Sequence, residues 1–224
     1  MKKQTAAMDT IAYVSDLLLS NMYICVEGAK AIVIDPFACG SAFDDLDKKH
    51  IDIDCVFLTH EHYDHISGVN WLKERYPGST VICSKNCAIG MANPKINYSR
   101  YFDSFAELIS FGECKAIKTT VEDYKCYPDM TFEKEDLIEW QGNKIILNET
   151  PGHSRGSIFI NVDDKLLFSG DTIFKDFPIQ TKFIGGSIKD FNMITKPFIN
   201  TIQKDIRVMP GHLGPFFLNE SYDH

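Results

Sequence analysis

The chain has 224 residues, 44% of them hydrophobic, and a formal net charge of -8 at neutral pH. That length suits one domain with a well-buried core, and the acidic balance argues against nucleic-acid binding, which needs clustered Lys and Arg. Met1-Lys2-Lys3-Gln4 opens like a secretory leader, but Leu17-Leu18-Leu19 is hemmed in by Asp16, Ser20 and Asn21, so no signal peptide or transmembrane helix is expected. The seven cysteines are odd in number and scattered, which fits reduced thiols in a cytoplasmic protein better than a disulfide scaffold. Cys83 and Cys87, four apart, read as local buried thiols, with metal binding or pairing as the lesser alternative.

Asn21 to Glu27 and Ala31 to Asp35 are β-rich runs separated by Gly28-Ala29-Lys30, a hairpin closed by Asp35-Pro36. Ile51 to Leu58 is a strand: Ile51, Ile53, Cys55 and Phe57 alternate with polar positions before the run turns apolar. Ser67 to Tyr76 predicts a helix stopped by Gly78, and Thr80 to Cys83 a further strand. Between about Ser99 and Tyr127, Phe102, Phe105, Leu108 and Ile109 suggest a helix, and Lys115 to Val121 a strand. Strands follow at Asp136 to Trp140, Lys144 to Asn148, Ser157 to Val162 and Lys165 to Phe168. A helix over Phe191 to Ile202 and a short strand over Asp205 to Met209 complete the chain. The hairpin ending at Asp35 is echoed by one ending at Asp171. This predicts two similar β-rich halves, two facing sheets covered by helices, with chance similarity of two hairpins as the alternative.

Five of the seven histidines fall in three clusters: Thr59-His60-Glu61-His62-Tyr63-Asp64-His65, Thr150-Pro151-Gly152-His153 and Pro210-Gly211-His212. Ser169-Gly170-Asp171-Thr172 lies between the last two. Imidazole and carboxylate in this mixture are ligands for borderline divalent metals. His60 and His62, two apart, point the same way if extended, and Glu61 and Tyr63 point away. Each cluster sits at the end of a strand pattern, so the loops can converge on one edge. His50 and His224 lack such company and read as ordinary surface residues. Asp35 reads equally as a turn cap or as an acceptor for a ligand histidine's free N–H.

These residues resemble the metallo-β-lactamase superfamily. His60, His62, Asp64 and His65 complete its His-x-His-x-Asp-His motif, His153 and His212 match its later histidines, and Asp171 its bridging aspartate. The resemblance implies an α/β (α+β) fold: a four-layer αββα sandwich with the site at one edge of the two sheets. It covers nearly all of residues 1–224, read as a single domain with an insertion or lid around 99–127, a distal elaboration being equally compatible. Carried over by position, His60, His62 and His153 hold one metal, Asp64, His65 and His212 the second, and Asp171 bridges both. The bridging aspartate disfavours antibiotic hydrolysis, and a histidine at position 62 disfavours oxygen reduction at a di-iron centre.

A water shared by two such cations falls in pKa from near 16 toward roughly 7, giving a bridging hydroxide as nucleophile at neutral pH. Asp64 and Asp171 are then catalytic as ligands, not free bases, with Asp64 also orienting the hydroxide. Two divalent cations are expected, zinc first, with iron and manganese suited by the same donors. The motifs around His153, Asp171 and His212 look like the compact glyoxalase II-like hydrolases, which implies cleavage of a thioester or ester such as a hydroxyacylglutathione. Two departures stand out: about a dozen residues follow His212, too few for the glutathione-binding helical domain of that branch, and Leu213 is inserted before Gly214. Lactonase, mononuclear-iron persulfide dioxygenase and non-catalytic metal-binding module are the alternatives. Arg155, Lys175 and Lys182 are candidates for an anionic substrate end, and Phe174, Phe177 and Phe183 for an apolar wall. The expected partner is a small-molecule substrate, without nucleic acid or membrane; the sequence carries no signal for oligomeric state.

Overall fold

The computed structural model describes residues 8–102 and 121–221. Its strands form two six-stranded sheets. The first sheet runs β1 (Asp9–Val14), β2 (Asn21–Glu27), β3 (Lys30–Ile34), β4 (Asp52–Phe57), β5 (Thr80–Ser84) and β6 (Met130–Phe132), in that spatial order. The second runs β7 (Glu135–Trp140), β8 (Asn143–Glu149), β9 (Ile158–Val162), β10 (Leu166–Gly170), β11 (Arg207–Pro210) and β12 (Phe216–Phe217), from one edge to the other. Both sheets are mixed. Hairpins make the β1/β2/β3 and β7/β8/β9/β10 pairs antiparallel, and helical crossovers make β3/β4/β5 and β10/β11 parallel.

Alternation along the strands builds the layers. Tyr23, Cys25, Ile32 and Ile34 face Ile145, Leu147, Ile158, Ile160 and Phe168 across the seam between the sheets. Met22, Ile24, Ala31 and Val33 point the other way, onto α1 (Gly40–Lys48) and α3 (Val69–Arg75) through Phe43, Leu46, Val69 and Leu72. Phe159, Leu167 and Val208 bury the outer face of the second sheet against Ile179, Phe191 and Ile199. Three apolar layers between four structural ones make the expected αββα sandwich.

Three local readings change. A bulge in β4 pairs Ala31 with Ile53 but Ile32 with Cys55, leaving Asp54 as the extra residue. Ile53 therefore packs outward while Cys55 and Phe57 pack into the seam, contrary to uniform alternation. Asp54 instead accepts from Lys30 Nζ at 2.9 Å and Trp140 Nε1 at 3.0 Å, tying the sheets together. The helix expected over Ser67 to Tyr76 is α3, and an unforeseen short helix, α2 (Tyr63–Ile66), precedes it inside the first histidine cluster. The helix expected at Phe191 starts at Ile188 and ends at Ile199, with a π turn over Phe191–Thr195 just before Pro197. Pro197 has no N–H to donate and its ring would crowd the carbonyl one turn back, which the wider turn relieves. The sequence reading did not anticipate β1, α1, α4 (Lys85–Met91), β6 or β12; α4 lacks a breaker before it because its capping residue, Ser84, is the last of β5.

The helix through Phe105, Leu108 and Ile109, the strand over Lys115 to Val121, and most of the segment 99–127 lie outside the described residues. The two flanks of that segment are joined. Arg100 pairs with Asp123, Ser99 Oγ accepts from Tyr124 N at 2.9 Å, and Asn97 Nδ2 donates to Tyr124 O at 3.0 Å. Six described cysteines are free, and Cys83 and Cys87 are fully buried in the outer apolar layer. Among the described residues no helix is long and apolar enough to cross a membrane.

Candidate metal centre

Strand ends and the loops beyond them deliver the histidine clusters to one edge of the sandwich. His60 to His62 follow β4 beyond a bend at Thr59, with His62 extended at φ -65° and ψ 144°, and α2 then turns Asp64 and His65 back toward the same spot. The extended stretch sends His60 and His62 one way and Glu61 the other, as the spacing predicts: Glu61 is 1% exposed and accepts from Ser154 Oγ at 2.8 Å, behind the histidines. Tyr63 is a packing aromatic, edge-on to Phe102 and Tyr124. Asp171 follows β10, and His212 follows β11.

The Pro-Gly-His and Ser-Gly-Asp motifs are explained by close approach. A Cβ on Gly211 would collide with Asp171 Oδ1 and lie 2.8 Å from His65 Cε1. Gly170 is left-handed, at φ +50°, and a Cβ there would lie 2.6 Å from Thr59 Oγ1. The first sheet also grips the last loop. Asn21 Nδ2 donates to Pro210 O at 2.9 Å and Leu213 O at 2.8 Å, and Tyr23 Oη donates to Pro210 O at 2.7 Å. The inserted Leu213 is absorbed by a left-handed φ of +67° and points outward, 56% exposed, so His212 keeps its place.

All seven expected ligands converge. Ring nitrogens of His60, His62 and His153 form one compact donor group, with His153 Nε2 3.0 Å from His62 Nδ1. Asp64, His65 and His212 form another: His212 Nε2 is 3.3 Å from Asp64 Oδ2 and 3.4 Å from His65 Nε2. Asp171 stands between them, 3.6 Å from His153 Nε2 through Oδ2, 3.4 Å from His212 Nε2 through the same oxygen, and 3.5 Å from His65 Nε2 through Oδ1.

Asp35 proves to be the orienting acceptor. Its Oδ2 takes His65 Nδ1 at 2.9 Å and Thr59 Oγ1 at 2.6 Å, and its Oδ1 takes Thr59 N at 2.7 Å. Thr59 Oγ1 in turn sits 3.0 Å from His60 Nδ1. His153 Nδ1 meets the Gln180 carbonyl at 3.0 Å. With these nitrogens engaged in donating, the opposite Nε2 atoms of His60 and His153 carry lone pairs aimed at the centre, and that of His65 does so once its second proton leaves. His60 Nε2, His62 Nε2 and Asp171 Oδ1 are buried without a hydrogen-bond partner. Converging lone pairs and carboxylates with unpartnered buried atoms are costly unless a cation lies among them, so the donor set fits divalent metals.

The two groups differ in charge. Burial, reinforced by neighbouring imidazoles, pushes His60 well below its ordinary range and His62 down to about 3; burial also lowers His153. Burial opposes protonation of His65 too, but Asp64, Asp171 and Asp35 outweigh it and hold its pKa up at about 9. His212 is likewise carried well up by Asp171 and Asp64 against the effect of burial. Burial opposes ionisation of Asp171 and Asp64, but the facing histidines hold both carboxyls low.

Of the residues considered for substrate, Phe183 reaches the centre: its ring lies 5.4 Å from that of His62 and 5.0 Å from that of His153. Tyr98, which carried no sequence signal, joins it at 5.3 Å from His62 and 5.8 Å from Phe183. Arg155 is exposed on the His153 loop, and Phe174 is half-buried. Lys175 is exposed and paired with Glu220 at 3.0 Å, so its ammonium serves the surface. Thr59 and the Gln180 carbonyl were also unforeseen, because a hydroxyl or carbonyl acting through a histidine leaves no pattern of its own.

The model of the metallo-beta-lactamase superfamily matches residues 15–212, and the chain belongs to that superfamily. It is 24% identical over 216 residues to a probable metallo-hydrolase of Streptococcus pyogenes serotype M6, covering 94% of this chain and 86% of that one. A stretch of 82 residues is 33% identical to hydroxyacylglutathione hydrolase 1 of Vibrio vulnificus, 37% of this chain and 33% of that protein. Among solved structures, the BLEG-1 B3 metallo-beta-lactamase superposes with a TM-score of 0.77 at 20% identity over 95% of both chains, a likeness of fold.

Proposed function

We propose that the protein is a metal-dependent hydrolase with a dinuclear centre, cleaving a thioester or ester of a small molecule. The observation that carries this reading is the position of Asp171, within 3.6 Å of nitrogens from both donor groups. His60, His62 and His153 would hold one cation, Asp64, His65 and His212 the other, and Asp171 would reach both. Zinc suits the donors best, with iron and manganese accepted by the same set. When bound, the cations would supply Lewis acidity toward a substrate oxygen and acidify a water to near neutral pKa.

The chain's own residues supply the rest. Asp35 holds the Nδ1 proton of His65 and, through the Thr59 hydroxyl, fixes His60. The Gln180 carbonyl does the same for His153. Asp64 and Asp171, kept ionised by the facing histidines, act as ligands and hydrogen-bond acceptors, not as free bases. Tyr98 and Phe183 present an apolar wall beside the His62/His153 side, suited to the non-reacting part of a substrate. Arg155 is the cation nearest in sequence to a ligand and is assigned to an anionic substrate end. The similarity to a hydroxyacylglutathione hydrolase supports a thioester, over a shared stretch that is only a third of that relative.

Elemental analysis of purified protein, followed by the same sample on ester, thioester, lactone and phosphodiester panels, tests this. Two divalent cations per chain and turnover on the thioester or ester panel are expected. His62→Ala and Asp171→Ala should each lose turnover by several orders of magnitude and bind less metal. Full activity with a full complement of metal in either variant would refute the assignment.

A further inference from the structure

Glu61 is a buried carboxylate with no cation partner among the described residues, and the proposed chemistry does not use it. Its side chain occupies a slot that two glycines keep open. A Cβ on Gly90 of α4 would lie 2.6 Å from Glu61 Cβ and 3.1 Å from Cδ, and one on Gly156 would strike Glu61 Oε2 and come within 2.6 Å of Cys87 N. Inside the slot Oε2 accepts from Ser154 Oγ at 2.8 Å, and the backbone N–H groups of Gly156 and of Glu61 itself also turn to the carboxylate. Ser154 N donates to Ser157 Oγ at 3.1 Å, and the two hydroxyls meet at 3.0 Å. With the Ser154 hydrogen given to Glu61, Ser157 is the donor in that last contact. Ser84, the cap of α4, donates from Oγ to Gly156 O at 2.9 Å and accepts from Cys87 N at 3.1 Å, closing the slot from the helix side.

Glu61 lies between His60 and His62, and Ser154 follows His153. We propose that Glu61 is a positioning residue whose carboxylate fastens the loop of His60 and His62 to the loop of His153, holding these three imidazoles in mutual register. Burial pushes Glu61 up to about 7, and the Ser154 hydroxyl and the two backbone N–H groups work against that by favouring the charged, accepting form. Carboxylate acceptors give stronger, shorter bonds than an amide would, and a buried loss costs the desolvation of the orphaned partner as well. Without the clamp, the two loops remain linked through Thr59 O accepting from Ile158 N at 2.8 Å, so they can splay at the donor atoms while the sheet stays intact.

The inference rests on reading these imidazoles as metal ligands, and zinc binding by itself tests it without any substrate. Stepwise zinc affinities are measured by chelator competition for wild type, Glu61→Ala, Glu61→Gln and Ser154→Ala. Wild type should take two zinc ions. Glu61→Ala should lose roughly tenfold or more in affinity for one of them and leave the other within about twofold, the range seen for residues that support ligands. Glu61→Gln, which keeps one acceptor toward Ser154, and Ser154→Ala should fall between. Unchanged stepwise affinities in Glu61→Ala and Ser154→Ala, or equal losses at both ions with a lower melting temperature, would show a role in folding only and overturn the proposal. A wild-type chain that takes no zinc, iron or manganese would instead sink the dinuclear reading itself. Should Glu61→Ala not fold, Ser154→Ala decides alone.

Discussion

Asp35 gathers three donors on one carboxylate, Thr59 N, Thr59 Oγ1 and His65 Nδ1, at a residue whose own φ of +52° is left-handed. Aspartate tolerates that conformation better than most residues, because its short side chain bonds locally. The same turn that ends β3 thus aims a carboxylate under the first histidine cluster. Asp35→Asn puts an amide N–H opposite at least one donor and leaves the His65 tautomer unfixed. We expect metal affinity at the His65 side to fall roughly 10–100-fold, read by chelator competition, with little change in secondary structure by circular dichroism. Gly211→Ala acts from the other direction. Its methyl group meets Asp171 Oδ1, so metal content should drop below two per chain although no ligand has been removed.

At the scale of elements, period and punctuation were readable along strands that are buried on both faces or that alternate, but not at α1, whose apolar side is only Ala42, Phe43 and Leu46. The β2/β3 hairpin and the run β7 to β10 were legible in outline for that reason. The bulge at Asp54 was not, since an extra residue costs nothing in a pattern of alternating polarity and is fixed only by pairing with β3. The π turn before Pro197 depends on packing: Thr195 Oγ1 donates to Pro151 O at 2.7 Å and Phe191 lies beneath Gly152, which secures the His153 loop. Phe57, fully buried in the seam, is the last residue of β4, where the chain leaves toward the site. Phe57→Ala should destabilise the fold by about 3–5 kcal/mol in denaturant titrations. The cost should appear in the metal-loaded and metal-free forms alike, because the cavity lies in the sheet seam.

For the whole molecule, the two donor groups should load differently with pH. His60, His62 and His153 are held neutral at pH 7, so a cation there displaces no proton. His65, with its pKa up at about 9, and His212 are protonated in the metal-free chain, so a cation at that side must displace protons. Affinity for the second cation should therefore rise about tenfold per pH unit for each proton displaced, up to pH about 9, while the first changes little. The metal-free fold should do the reverse. His65 is raised above its ordinary 6.5, so its contribution is fully present below pH 6.5 and lost as pH climbs through about 9. Melting temperatures with and without zinc should accordingly diverge between pH 6.5 and 9. A constant difference across that window would contradict the charge assignment.

The sequence by itself determined the chemistry on offer and the general architecture: five clustered histidines and two aspartates at strand ends, alternating runs for two sheets, and a motif order specific enough to indicate the superfamily. Those features are local, carried by residues a few positions apart, and so survive in one dimension. The tertiary structure alone decided which groups orient the donors and which surround them. Asp35 is 30 residues from His65, Asn21 is 189 from Pro210, and Glu61 is 93 from Ser154. Each contact is a single hydrogen bond between polar groups of ordinary type. Such a bond has no period and no spacing rule, and it exists only once burial of the apolar layers has brought the two sheets and their loops face to face.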